Sequence, residues 1–410
     1  MTGRGIPLAG APGVEKLASP SEITTPSALC VLDVNWDSTL QLFRALGDRV
    51  PLYLVKPTNF GQARATGVPI RSCLKAQQLS ARHYLRRLAF PPGWFSALAP
   101  VTLPLLAACI RREMLSLGLR LAGSIITYPQ YLPVLKRLRP VKAAYYCVDD
   151  YRCYWPDRAA KLETLENQVV AEVDLVVCTA KFMQEEFKRR VPRAAAKIQH
   201  LPNGTRESFL APHPLLRPDP LPQDISHIPR PVLGYLGSIS GRINWNIVER
   251  VLERFPSASV LLVGAAPPKA SKDWTNMAGL RRFANFHYVG FRDQERIMTY
   301  IRAFDICLIP EPDEPLNVAG CPQKLWNYLA SSRPIVSTRI PEQAMWEPAV
   351  SIADNPSQFC DQIARLLAAG CDDGLGARRL QIVQEHTWPR LAEQLWGALI
   401  HSDLRSAGVT

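Results

Sequence analysis

The stretch PVLGYLGSISGRINWNIVERVLERF, residues 231–255, decides the fold of this chain. Residues 231–237 are a short apolar, β-rich run that ends in glycine, and residues 244–255 read as a helix. Between them GSISGR, residues 237–242, turns the chain. The same alternation continues outward. Residues 258–264 (ASVLLVG), 286–290, 305–310 (DICLIP) and 334–338 are strand-like, and residues 295–304 and 322–331 are helix-like. Strands separated by helices imply a parallel sheet covered on both faces, a doubly wound arrangement. A last amphipathic stretch, residues 388–400, follows that sheet as a terminal helix.

Upstream, the composition changes. Residues 211–231 hold seven prolines, which neither a helix interior nor a central strand accepts. Before this linker lies another α/β series. Residues 28–34, 50–55, 124–127, 143–148 and 174–178 are strand-like, and residues 157–173 carry Leu162, Leu165, Val169 and Val173 at helical spacing. Asp157, behind Pro156, is a candidate helix cap. His83, with Arg82, Arg86 and Arg87, reads as the surface of a basic helical stretch. The expected division is a flexible lead-in (1–26), an N-terminal Rossmann-like domain (27–210), a Pro-rich linker (211–230), a second Rossmann-like domain (231–387) and a terminal segment (388–410).

The bulk numbers agree with two globular domains. The chain has 410 residues, 47% hydrophobic and 20% charged. Ten cysteines include no CxxC pair, and several sit in apolar strand-like runs, which fits a reducing, cytoplasmic compartment. Residues 1–26 lack the apolar core of a signal peptide. The longest apolar stretch, residues 97–110, is interrupted by prolines and too short to span a bilayer. The net charge of +12 is uneven: residues 1–220 hold 29 Lys+Arg against 17 Asp+Glu, and residues 221–410 hold 19 against 19. A basic half suits nucleic acid, an anionic membrane face or an anionic substrate; nucleic acid is not among the partners expected for this chain.

Four segments carry chemistry. In GSISGR, glycine lets backbone N–H groups approach a phosphate at the start of a helix, but the pattern is not GxGxxG. In GCPQKLWNYLASSRPIVST, residues 320–338, Pro322 suits the first helical turn. Lys324 falls in that same turn, where the helix dipole disfavours a cation unless a bound diphosphate offsets it. In YYCVDDYRCYWP, residues 145–156, Asp149 and Asp150 follow a strand directly, at the sheet edge where ligands bind in this architecture. A carboxylate there can act as general base, and Asp150 is favoured as further out of the sheet. The fourth, HLPNGT (residues 200–205), holds an Asn-Gly turn that closes the N-terminal half.

Taken in order, VDDY, DLVVCTAKFM, LPNGT, YLGSI, FHYVGFRDQERIMTYIRAFDICLIP, CPQKLWNYLASSRPIVST and HTW resemble bacterial GT-B glycosyltransferases of the group-1 type. They look most like members acting in exopolysaccharide or teichuronic acid synthesis. The resemblance covers roughly residues 140–390. It implies two Rossmann-like domains facing across a cleft, with the terminal helix crossing back to the first. By that resemblance Gly237, Ser238, Arg242 and Lys324 hold a donor diphosphate, and Pro322 belongs to the same donor-binding set. Phe291 and Arg292 sit near the nucleobase, and residues 315–321 face the transferred sugar. Asn327 stands where many relatives carry a glutamate that holds the ribose, and the histidine of many retaining relatives has no counterpart at a strand end.

The activity implied is transfer of a sugar from a nucleotide-diphosphate donor, UDP before GDP, to a lipid-linked or polysaccharide acceptor in surface glycan synthesis. Neither metal nor other cofactor is expected. The alternatives are a non-catalytic sugar-nucleotide or glycan-binding subunit and a GT-B-fold sugar-nucleotide epimerase. A place at the inner face of the plasma membrane, by peripheral contact, accompanies the leading reading.

Overall fold

The computed structural model describes residues 27–34, 37–59, 76–90, 99–210 and 221–401. The expected lead-in and the first ten residues of the expected linker lie outside the described residues. Fourteen strands are described. The first eight are β1 (Ser27–Leu32), β2 (Leu52–Asn59), β3 (Gln77–Ser80), β4 (His83–Phe90), β5 (Arg120–Ile126), β6 (Lys142–Cys147), β7 (Leu175–Cys178) and β8 (Ile198–His200). They form one sheet in the order β3-β4-β2-β1-β5-β6-β7-β8. All neighbours are parallel except β3 and β4. The remaining six are β9 (Val232–Leu236), β10 (Ser259–Val263), β11 (Phe286–Tyr288), β12 (Ile306–Ile309), β13 (Ile335–Thr338) and β14 (Ser351–Ala353). They form a parallel sheet in the order β11-β10-β9-β12-β13-β14.

Both sheets are buried on both faces, which is why their central strands read as unbroken apolar runs. Along β1, Ala28, Cys30 and Leu32 point to one hydrophobic cluster and Leu29 and Val31 to another. The second cluster is closed by Leu42, Phe43 and Leu46 of the helix Asp37–Leu46. It is also closed by Trp388, Leu391, Ala392, Leu395 and Leu399 of the terminal helix Trp388–Ile400. The helix Trp388–Ile400 therefore covers the first sheet, and Arg49 pairs with Glu393 at 2.5 Å beside that contact.

The crossing is pinned at the LPNGT turn. Thr205 bridges Thr387, with its N–H donating to the His386 carbonyl at 2.9 Å and its carbonyl accepting from Trp388 N–H at 3.0 Å. A Cβ on Gly204 would lie 2.4 Å from that His386 carbonyl oxygen, so only glycine allows the approach. His386 stacks on the fully buried Trp326 at 4.5 Å. Burial lowers the pKa of this imidazole and favours its neutral form.

Two local expectations are corrected. The stretch around His83 is strand β4, paired in register with β2 from Leu52↔His83 to Asn59↔Phe90. Sheet pairing overrides its helical composition. Asp157 caps no helix. Pro156 opens a separate 3₁₀ turn, Pro156–Arg158, and the helix Ala159–Glu172 begins after it without a side-chain cap. No helix among the described residues is long and apolar enough to cross a membrane.

Candidate functional site

The C-terminal ends of β6, β9 and β12 open onto one cleft between the two sheets, about 270 Å³ in volume. Val148 and Asp149 line it from the first sheet. Tyr235–Ser238, Arg242, Glu311 and residues 321–324, with Asn327, line it from the second. Seven residues singled out in the sequence thus converge: Asp149, Gly237, Ser238, Arg242, Pro322, Lys324 and Asn327.

Gly237 makes the floor of the cleft possible. Its φ is +152°, and a Cβ there would crowd Tyr235 Oη at 3.1 Å and Lys324 Cε at 3.2 Å. Gly264, just past the end of β10, packs against the Gly237 carbonyl, where an added Cβ would come within 1.7 Å. The glycines keep the β9 turn low and open. The helix Gln323–Ser331 starts at the cleft, with Pro322 as an N-cap that supplies no side-chain hydrogen bond. Its leading N–H groups and dipole favour an anion at that end.

The two cations of the cleft are paired with carboxylates. Lys324 Nζ lies 2.8 Å from Glu311 Oε1 and donates to Tyr235 Oη at 3.1 Å. Burial alone would push the Lys324 ammonium down; Glu311 and Tyr235 more than reverse this, and its pKa is raised. Arg242 Nη2 lies 3.7 Å from Asp149 Oδ2, and Tyr154 Oη donates to the same Oδ2 at 2.7 Å. Burial raises the Asp149 carboxyl above its ordinary range, although Arg242 and Tyr154 pull the other way. Glu311 was missed in the sequence. It follows the strand DICLIP as the Asp pair follows β6, and the same edge argument would have found it.

Asp150, the aspartate favoured from the sequence, sits in a different environment from Asp149. Its side chain is buried and receives the Arg152 guanidinium at 2.7–3.1 Å, besides the Arg152 backbone N–H at 3.0 Å. Arg152 continues to Glu163 at 2.5 Å and Glu186 at 3.5 Å. The second aspartate is thus held inside an ion-pair network of its own domain, and the first one faces the cleft.

Phe291 and Arg292 do not line the cleft. Arg292 pairs with Asp224, just before β9, and donates to Tyr300 Oη at 2.7 Å. Phe291 is 62% exposed. Asn327 is buried, and its Oδ1 accepts from Thr205 Oγ1 at 3.0 Å. This bond joins the helix Gln323–Ser331 to the crossing point. Asn203 reinforces it by donating from Nδ2 to the Cys321 carbonyl at 2.6 Å. Among the described residues no cluster of His, Cys, Asp or Glu is grouped to hold a metal ion.

Two sheets facing a cleft, parallel but for the β3–β4 edge, with a terminal helix returned to the first, define the GT-B fold. Solved structures agree. A sucrose-phosphate synthase from Thermosynechococcus elongatus superposes with a TM-score of 0.68 at 17% identity, over 93% of this chain and 100% of that one. The Anabaena protein HepE, solved in complex with UDP, superposes with a TM-score of 0.65 at 13% identity, over 91% and 99%. Residues 230–369, most of the second sheet and its helices, match the family described as glycosyl transferases group 1. A Bacillus subtilis (strain 168) protein, TuaH, named as a teichuronic acid biosynthesis glycosyltransferase, is 23% identical over 242 residues. That match covers 58% of this chain and 59% of the relative's length.

Proposed function

We propose that the protein is a glycosyltransferase that moves a sugar from a nucleotide-diphosphate donor, UDP-linked, to a lipid-linked or polysaccharide acceptor in surface glycan synthesis. The observation that carries this reading is the meeting of Arg242, Lys324, the open Gly237 turn and a helix N-terminus in one cleft, opposite Asp149. A diphosphate entering there gains two cations and a helix dipole. It does so by displacing Glu311 and Asp149 as their partners. Asp149, released from Arg242 and with its pKa raised by burial, is placed to accept the proton of an acceptor hydroxyl. Asp150 takes no part. The names of TuaH and of the UDP complex of HepE support the donor class and the glycan context.

A thermal-shift panel of UDP, GDP and ADP tests the donor site. A ligand that binds the folded state raises the midpoint by mass action. UDP is expected to raise it most, and Lys324→Ala to abolish the rise. A protein indifferent to all three nucleotides would end this reading.

A further inference from the structure

The helix Ala99–Ser116 buries one face and leaves the other uncovered. Leu103, Leu106, Ala107, Ile110 and Met114 are in the core. On the opposite face Val101 is 59% exposed, Leu105 58% and Leu115 68%, with Ala108 and Cys109 exposed between them. An outer helix face of a water-soluble surface is ordinarily polar. Here its exposed polar residues are Arg111, Arg112 and Ser116, all in the C-terminal half. Past the end of this helix lies a cavity of about 310 Å³. Buried Met114, Leu119 and Leu138 form its base, and exposed Arg111, Arg120 and Arg139 surround its mouth. Val141, two residues beyond Arg139, is 79% exposed. Residues 99–142 hold seven Lys+Arg (111, 112, 120, 136, 137, 139, 142) and one acid, Glu113, so 7 − 1 = +6, half of the +12 of the whole chain. Glu113 faces inward, onto Tyr53 and Arg86.

We infer that this face is a docking surface for an anionic lipid bilayer. The exposed Val and Leu side chains enter the headgroup and upper acyl region, and the arginines meet lipid phosphates. The apolar cavity ringed by arginines takes one anionic lipid headgroup with the start of its chain. Apolar exposure alone would suit any partner; a face that joins exposed apolar side chains to Arg111, Arg112, Arg120 and Arg139 suits a surface that is itself apolar inside and negative at its boundary. The helix runs about 27 Å at its 18 residues. It leads into β5, the neighbour of β6, whose C-terminal end opens onto the cleft. The inference deepens the reading of a lipid-linked acceptor and rests on it only for its biological purpose.

The test is flotation of the full chain with vesicles of phosphatidylcholine alone and of phosphatidylcholine with phosphatidylglycerol, at low and high salt. The protein is expected to float with the phosphatidylglycerol vesicles at low salt, and salt should release it. Both L105E/L115E and R112E/R120E should reduce partitioning at least about tenfold. These side chains are exposed, and an unchanged UDP thermal shift in the same preparations separates this outcome from failure of the donor reading. No flotation of the unsubstituted chain, or flotation indifferent to both pairs, would overturn the inference. A dimer in vesicle-free sedimentation that L105E/L115E dissolves would assign the face to a second copy and overturn it as well.

Discussion

Arg242 and Asp149 approach to 3.7 Å across the cleft, joining the turn after β9 to the end of β6. Each is a counter-charge of the other, and each has a separate task in the proposed reaction. Under the proposed function the pair would link donor binding to release of the base.

Asp149→Asn should bind UDP at least as tightly as the unsubstituted protein, because a carboxylate competing for Arg242 is gone. Transfer should fall about 10²–10⁴-fold, the usual contribution of a general base. Titration calorimetry with UDP and an initial-rate assay check the two halves. Loss of UDP binding with transfer retained would contradict both.

The pH profile follows from the sign of the Asp149 shift. A base works ionised, and its carboxyl pKa is raised by burial. Activity should therefore fall as pH drops through a point above the ordinary carboxylate range, and the Asp149→Asn residual rate should lack that limb.

Lys324→Ala should lower stability as well as abolish the UDP response. It leaves Glu311, with a side chain only 1% exposed, without its cation, a loss of about 3–5 kcal/mol by analogy with broken buried pairs. Adding Glu311→Gln to the substitution should recover most of the stability in urea denaturation but none of the UDP response.

Asp150→Ala separates the neighbours. Arg152 keeps Glu163 and Glu186, so the cost should be about 1–3 kcal/mol in denaturation. The UDP thermal shift should not move. A variant that folds normally but has lost UDP binding would return Asp150 to the cleft.

Asp373→Asn should destabilise the second domain by about 3 kcal/mol, since Arg379 is fully buried and both its terminal nitrogens bond that carboxylate. Burial would raise the Asp373 carboxyl, but its bonds from Arg379 outweigh this and hold it low. A carboxyl lowered on folding adds stability above its unfolded pKa and loses it as pH falls through the folded value. The acid limb of unfolding should accordingly flatten in the variant, as chemical denaturation across pH would register.

Much of the architecture was legible because it is written in local periodicity. Unbroken apolar runs at β1 and β9 announce strands buried on both faces, and the proline-rich segment separates two such series. Gly237 and Lys324 were legible as well, since a glycine turn and a helix start are neighbours in sequence. The stretch around His83 was not, because its strand exists only through pairing with β2, more than twenty residues upstream.

By itself, the sequence determined two parallel α/β layers and put cations and glycines at their C-terminal edges. Backbone sterics and the alternation of apolar side chains act within a few residues. Only the tertiary structure decided where those side chains are spent. Asp149 meets Arg242 while Asp150 is held by Arg152. Lys324 is matched to Glu311, Asn327 is bonded by Thr205, and Arg292 is drawn to Asp224. Each choice is made by a partner from another turn or another element, through burial and charge.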